Sequence, residues 1–198
     1  MALHGTFILI STITDSSPGG DHHLLDHYGK KQKQVRRSTL GAEQGAAIDG
    51  CNLAVVIASA YAEVFTGPLT PSQMLHKSLS GELGVPVEFV TDAQSLYEAL
   101  KNPNSRAPLE EMLVFGMNYL KDLMRRGVIS KCWWVHTHDM LADALTKGII
   151  TRTAILQACE AGHWHLKQST LSMSLPAAFV DDKADMYADR LRDVLGIS

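Results

Sequence analysis

What this chain of 198 residues lacks already sets limits on what it can be. It has no surplus of positive charge. Its 18 Lys and Arg stand against 21 Asp and Glu, a net charge of -3. That balance excludes wholesale nucleic-acid binding by charge alone and leaves room only for a local basic patch. Cysteine is scarce, with Cys51, Cys132 and Cys159 at no metal-ligand spacing, which excludes a zinc framework and a disulfide scaffold. An odd number of thiols with no recognisable signal peptide points to an intracellular protein, in cytoplasm or nucleus. Phe7-Ile8-Leu9-Ile10 is too short for a signal core and has no basic leader. No run reads as a membrane span, so no membrane partner is expected.

What is present is ordinary for a globular chain: 45% apolar and 20% charged residues. The length fits one domain, placed at 1–150, with an extension over 151–198. Thr6 to Ile13 is continuous, apolar and β-branched, and reads as a strand. A turn over Asp15 to Asp21 leads to a polar second strand, His22 to Arg36, suited to a sheet edge. The two would form a hairpin. A long helix opens near Thr39 as N-cap, with Ala46, Gly50, Leu53, Ile57, Tyr61 and Val64 as its apolar stripe. Gly67-Pro68 ends it. Thr70-Pro71 starts a shorter helix. Val87 to Thr91 reads as a strand ending in Asp92, followed by a helix to about Leu100. Pro108 opens another helix, Ile129 to His136 a strand, and Thr137 a short helix that Gly148 ends. A helix near Thr151 to Ala161, an extended stretch containing His163-Trp164-His165, and a polar amphipathic helix over Asp181 to Leu195 complete the chain. The acids and arginines of that last helix read as a solvated face.

Three segments carry chemistry. Arg37-Ser38-Thr39-Leu40-Gly41-Ala42-Glu43 places a carboxylate in the first turn of the long helix, where the dipole favours it. Thr91-Asp92-Ala93-Gln94-Ser95-Leu96 puts one at a strand tip. Leu141-Ala142-Asp143-Ala144-Leu145-Thr146-Lys147-Gly148 puts one after the last core strand. Singly, each has a structural reading: a helix-start acid, an N-cap, a solvated helix residue. Together they are the pattern expected of hard oxygen ligands drawn from separate elements around magnesium.

In order, the three segments resemble the ribonuclease H domain of copia-type (Ty1/copia) retrotransposon polyproteins. The resemblance runs from about Gly5 to Gly148. LADALTKG is its most specific part, with STLGAE and TDAQSLYEAL in support. It implies an α/β fold of ribonuclease H-like type, a mixed β-sheet flanked by α-helices. The implied activity is metal-dependent endonucleolytic cleavage of RNA in RNA–DNA hybrids, with Mg2+ or Mn2+ as cofactor. A hybrid would be the partner, together with a reverse transcriptase domain or chain. By position, Glu43, Asp92 and Asp143 fall on three of the family's four metal ligands. The fourth, an Asp central on a first strand, has no counterpart before Thr6, so the chain reads as an N-terminally truncated or degenerate copy. Asp15 ends its strand and Asp26 sits on the edge strand, and neither is expected to face the other three. The alternative reading is a non-catalytic remnant that binds nucleic acid or protein at most.

Further candidates gather around this frame. Lys30, Lys31, Lys33, Arg36 and Arg37 form the dense basic run, suited to a hybrid's phosphates or, structurally, to a lysine-guarded edge. His138 is the candidate for a mobile histidine assisting product release, a part that some ribonucleases H assign near the last Asp. Asp139 competes with Asp143 as ligand and fits a first-turn helix acid. His22, His23 and His27 lie along one strand, too far apart for one ion. Trp133 and Trp134 read as core packing.

Overall fold

The computed structural model describes residues 3–11, 16–32, 38–102, 111–146 and 153–174. The fold is mixed α/β, with six α-helices and two three-stranded sheets among those residues. In the first sheet β1 (Leu3–Ser11) pairs antiparallel with β2 (Gly20–Lys31) as the expected hairpin, with a bulge where Ile8 faces Asp26 and Leu9 faces Leu24. The first two residues of β2 also pair with β5 (His163–Trp164). The polar strand is therefore central by order, while Leu24 to Lys31 still has one free edge.

In the second sheet β3 (Glu88–Thr91) runs parallel to β4 (Lys131–Trp134), and β6 (Leu171–Met173) pairs antiparallel with β4. A parallel pair needs a crossover. Here α3 (Gln94–Lys101) and α4 (Glu111–Arg125) supply it. The single mixed sheet expected from the sequence is thus two sheets, because β1 and β3 are edge strands that do not hydrogen-bond to each other. The extension joins both: β5 borders one sheet and β6 the other, with α6 (Thr153–Ala161) before them.

The helix α1 (Thr39–Thr66) packs on β1, β3, α3 and α4. Its N-cap is Ser38, not Thr39: Ser38 is extended, and its Oγ accepts from the Gly41 amide at 3.2 Å. Its buried face follows Gln44, Ala47, Cys51, Ala58 and Ala62. The expected stripe lies about one residue off, its members half-buried and Val64 exposed. Helical small residues misled the count, since Ala and Gly pack wherever backbones approach. By length and composition alone α1 is long and apolar enough to cross a membrane, where the sequence reading expected no such run, and one side of it forms part of the folded core. The second helix, α2 (Pro71–Ser80), starts as expected, with Thr70 and Gln73 making a reciprocal capping box.

The main core joins α1, α3, α4 and β4 through Cys51, Leu96, Leu100, Leu120 and Cys132. Burial pushes the Cys51 thiol up to about 12 and raises Cys132 as well, so both stay protonated. All three cysteines are free. Gln44 is the core's polar pin. It is 1% exposed, and its Nε2 donates to the Leu113 carbonyl at 2.7 Å. Gly116 makes room for it, since a Cβ there would stand 2.6 Å from the Gln44 amide. Gly116→Ala is expected to cost about 1–3 kcal/mol of unfolding free energy by overpacking, read by urea denaturation. An unchanged midpoint would show that Gln44 can turn aside without loss.

Candidate functional site

A cavity of about 300 Å³ lies between β1 and β3 and contains the expected carboxylates' neighbourhood. Its walls are Gly5 to Ser11 on one side and Pro86 to Asp92 on the other. Its floor is α1, through Glu43, Ala46, Ala47, Gly50, Cys51 and Ala54. Met140, Leu141 and Ala142 close one flank.

Glu43 and Asp92 both line this cavity. Glu43 is the fifth residue of α1 and lies just past the first turn, which holds no acid, so the helix-dipole placement expected for it is corrected. It is half-buried and engaged in a polar interaction. Asp92 sits one residue beyond β3, as expected, but it does not cap α3. The N-cap is Ala93, without a side-chain bond, and Thr91 Oγ1 accepts the Ala93 amide at 3.1 Å instead. Released from capping, the half-buried Asp92 carboxylate makes no hydrogen bond or ion pair among the described residues. Its backbone carbonyl is held, accepting from Trp134 Nε1 at 3.1 Å.

Asp143 opens the four-residue helix α5 (Asp143–Thr146) and is half-buried. The cavity wall stops at Ala142, one residue short of it. Gly5 lets this segment approach: a Cβ on Gly5 would fall 2.6 Å from the Ala142 carbonyl. Among the described residues no group of three or more His, Cys, Asp or Glu is close enough to hold a metal ion. Of the expected ligands, two carboxylates thus line one cavity and the third stands beside it. Magnesium is commonly held by one or two carboxylates with waters and substrate phosphate, and no protein cage of three such ligands stands among the described residues.

The structure assigns the competing acids differently. Asp139 lies in a 3-10 turn, Thr137–Asp139, and is 5% exposed. Its carboxylate accepts from the Lys167 amide at 3.1 Å and the Gln168 amide at 3.0 Å, and its carbonyl from Trp164 Nε1 at 3.0 Å. It is the first-turn acid that the sequence predicts, and it also tethers the extension. No local pattern marks it, since its partners lie 25 to 29 residues away. Glu88, unremarked in the sequence, also lines the cavity, and its carboxylate accepts from Trp133 Nε1 at 2.7 Å. Asp26 is exposed and accepts the His27 amide, away from the cavity.

His138 is exposed and stacks on His136 with ring centroids 5.0 Å apart, outside the cavity wall. The 3-10 turn is capped by His136, whose Nδ1 accepts the His138 amide, rather than by Thr137. Trp133 is buried as expected. Of the basic run, Lys33, Arg36 and Arg37 lie outside the described residues. Lys31 is exposed, and Lys30 pairs with Asp49 at 3.2 Å and lies over the Tyr28 ring.

Behind that pair His4 is buried, its Nε2 at 3.6 Å from Asp49 and neither ring nitrogen hydrogen-bonded. Burial lowers its pKa and Lys30 lowers it further, while Asp49 opposes. Comparison of the chain with protein-family models, curated proteins and solved structures finds no match.

Two predictions follow the geometry. A depressed histidine pKa means that the unfolded chain takes up its proton first. Stability from neutral His4 is therefore full above the unfolded value of about pH 6.5 and is lost as pH falls below it toward the lower folded value. The melting temperature should fall between about pH 7.5 and about pH 5.5, and His4→Phe should flatten that slope. Equal slopes would acquit His4. Separately, Asp139→Ala removes the acceptor of two part-buried amides, at about 1–3 kcal/mol in all. It should also speed proteolysis near Lys167, and a variant as resistant as the parent would disprove the tether.

Proposed function

We propose that this chain is a ribonuclease H-like domain of copia retrotransposon type, acting on RNA–DNA hybrids inside the cell. The observation that carries the reading is that Glu43 and Asp92, from motifs 49 residues apart in sequence, line one cavity. The LADALTKG motif supports it, since it brings Asp143 to the residue after that cavity's flank. Mg2+ or Mn2+ would be the cofactor and Glu43, Asp92 and Asp143 the residues nearest to it. When bound, such ions activate water and stabilise the leaving oxygen of a phosphodiester. No group of three such ligands stands together among the described residues, and no catalytic step is assigned to them. Lys30 and Lys31 would meet the hybrid backbone, in a salt-sensitive and sequence-independent way. A reverse transcriptase domain or chain would be the protein partner.

The absence of a three-carboxylate cluster among the described residues favours a second reading, a non-catalytic module that retains the fold. The deciding assay is cleavage of a labelled RNA–DNA hybrid in magnesium and in manganese, with Asp92→Asn as control. The catalytic reading expects metal-dependent cutting that falls at least about 100-fold in the control, the scale of a lost charge-stabilising group. A folded protein that cuts in neither metal leaves the non-catalytic module as the function.

A further inference from the structure

The joint between the hairpin and the extension brings together side chains that stand far apart in the sequence. The register of β5 with β2 sets His163 directly opposite Asp21. Trp164, the next residue, is buried, and its Nε1 donates to the Asp139 carbonyl at 3.0 Å. Side chains alternate along an extended chain, so a buried Trp164 turns His163 and His165 outward together. Their ring centroids stand 4.2 Å apart, with the planes tilted by 48°. The backbone beneath the two rings is held on both sides. Trp164 packs into the core beside Val135 and Leu141, and the Gly162 carbonyl accepts the His22 amide at 2.8 Å.

Asp21 decides what this pair can do. An ionised carboxylate only accepts, so the 2.6 Å contact between His163 Nδ1 and Asp21 Oδ1 is a hydrogen bond donated by the ring. That bond fixes the tautomer and leaves the Nε2 lone pair free on the other side of the imidazole. A carboxylate behind one ring nitrogen, orienting the other, is the arrangement that supports metal-ligating histidines. His165, exposed beside it, offers a second imidazole. Imidazole suits zinc, nickel and copper, whereas magnesium and manganese go to carboxylate oxygen and water. His136 and His138, also close together, are arranged otherwise. Their rings are stacked at 25°, face to face, and His136 Nδ1 is occupied by the His138 amide.

We infer that His163 and His165 chelate one divalent transition-metal ion of the zinc, nickel and copper class, with Asp21 as the positioning residue behind His163. The two imidazoles supply two ligands and water the rest, since no group of three His, Cys, Asp or Glu stands close enough to form a cage among the described residues. Both ligands lie on the extension and Asp21 lies on β2, so the ion acts on the joint between them. Linkage is reciprocal: if the Asp21 bond strengthens metal binding, bound metal strengthens the Asp21 bond by the same factor. The ion therefore fastens β5 to β2. None of Glu43, Asp92 and Asp143 takes part and the ion class differs, so a failed hybrid assay leaves this site untouched.

The test is calorimetric titration of the metal-free full chain with ZnCl2, joined to amide hydrogen exchange at His22. One Zn2+ should bind per chain, unchanged by about a hundredfold excess of Mg2+, and exchange at His22 should slow when Zn2+ is saturating. Asp21→Ala should weaken binding at least about tenfold and abolish the effect on His22. Asp21→Asn, which can still accept from Nδ1, should recover part of both. His163→Ala and His165→Ala should each weaken binding more than Asp21→Ala does. Melting in a chelator checks that each variant folds, and His165→Ala, an exposed change, decides the matter if His163→Ala does not fold. Unchanged affinity in His165→Ala, no Zn2+ binding by the parent, or loss of binding in His136→Ala with His138→Ala instead overturns the site. Displacement of Zn2+ by the Mg2+ excess places the ion on carboxylates and overturns it too. Full affinity in Asp21→Ala overturns the positioning role of Asp21 and the fastening of the joint.

Discussion

Everything in this molecule leans on the small-residue seam of α1. Ala47, Cys51, Ala58 and Ala62 bury the helix against its neighbours, and Ala46, Gly50 and Ala54 line the cavity above. Because these side chains are short, β1 comes down to the helix, and a Cβ on Gly50 would already touch Thr6 at 3.4 Å. That closeness sets Glu43 on the same cavity as Asp92. A seam of Leu or Ile would push the sheets outward and separate the two carboxylates. The site's geometry is therefore a consequence of residue size on a helix, before any consequence of charge.

The elements that can be read in the sequence are those governed by local physics. Thr70-Pro71 with Gln73 makes a helix start that needs nothing distant. The hairpin of β1 and β2 follows from two compatible runs joined by a Ser-Pro-Gly-Gly turn. The strand ending before Asp92 follows from a β-branched run. What escaped was set by distant partners. The face of α1 was misjudged because Ala and Gly do not announce which way they point. Asp139 is legible as a first-turn acid, but its amide donors, Lys167 and Gln168, are not. The two-sheet division was also hidden, since no local pattern says whether two edge strands pair. For the site, the sequence brought Glu43 and Asp92 to one cavity. It gave no sign of Glu88, whose carboxylate is held by Trp133 on the neighbouring strand.

The electrostatics divide the polar groups into those with a structural task and those without. Asp139 accepts from part-buried backbone amides, Glu88 from the Trp133 indole, and Lys30 answers Asp49. Asp92 answers none of the described residues, although it stands half-buried where a helix start would ordinarily use it. A carboxylate kept in such a position has its desolvation only partly offset, which makes it the most available anion at the cavity.

The extension has a mechanical effect that its short strands disguise. Trp164 ends β5 on the outer side of β2, and Leu171 begins β6 on the outer side of β4, with six residues between them. Those six can span at most about 24 Å, so the far borders of the two sheets are leashed to each other. The inner borders, β1 and β3, are both seated on α1. The two sheets are consequently fastened twice, along α1 on the inner side and by a six-residue strap on the outer one, so their separation is limited from both sides.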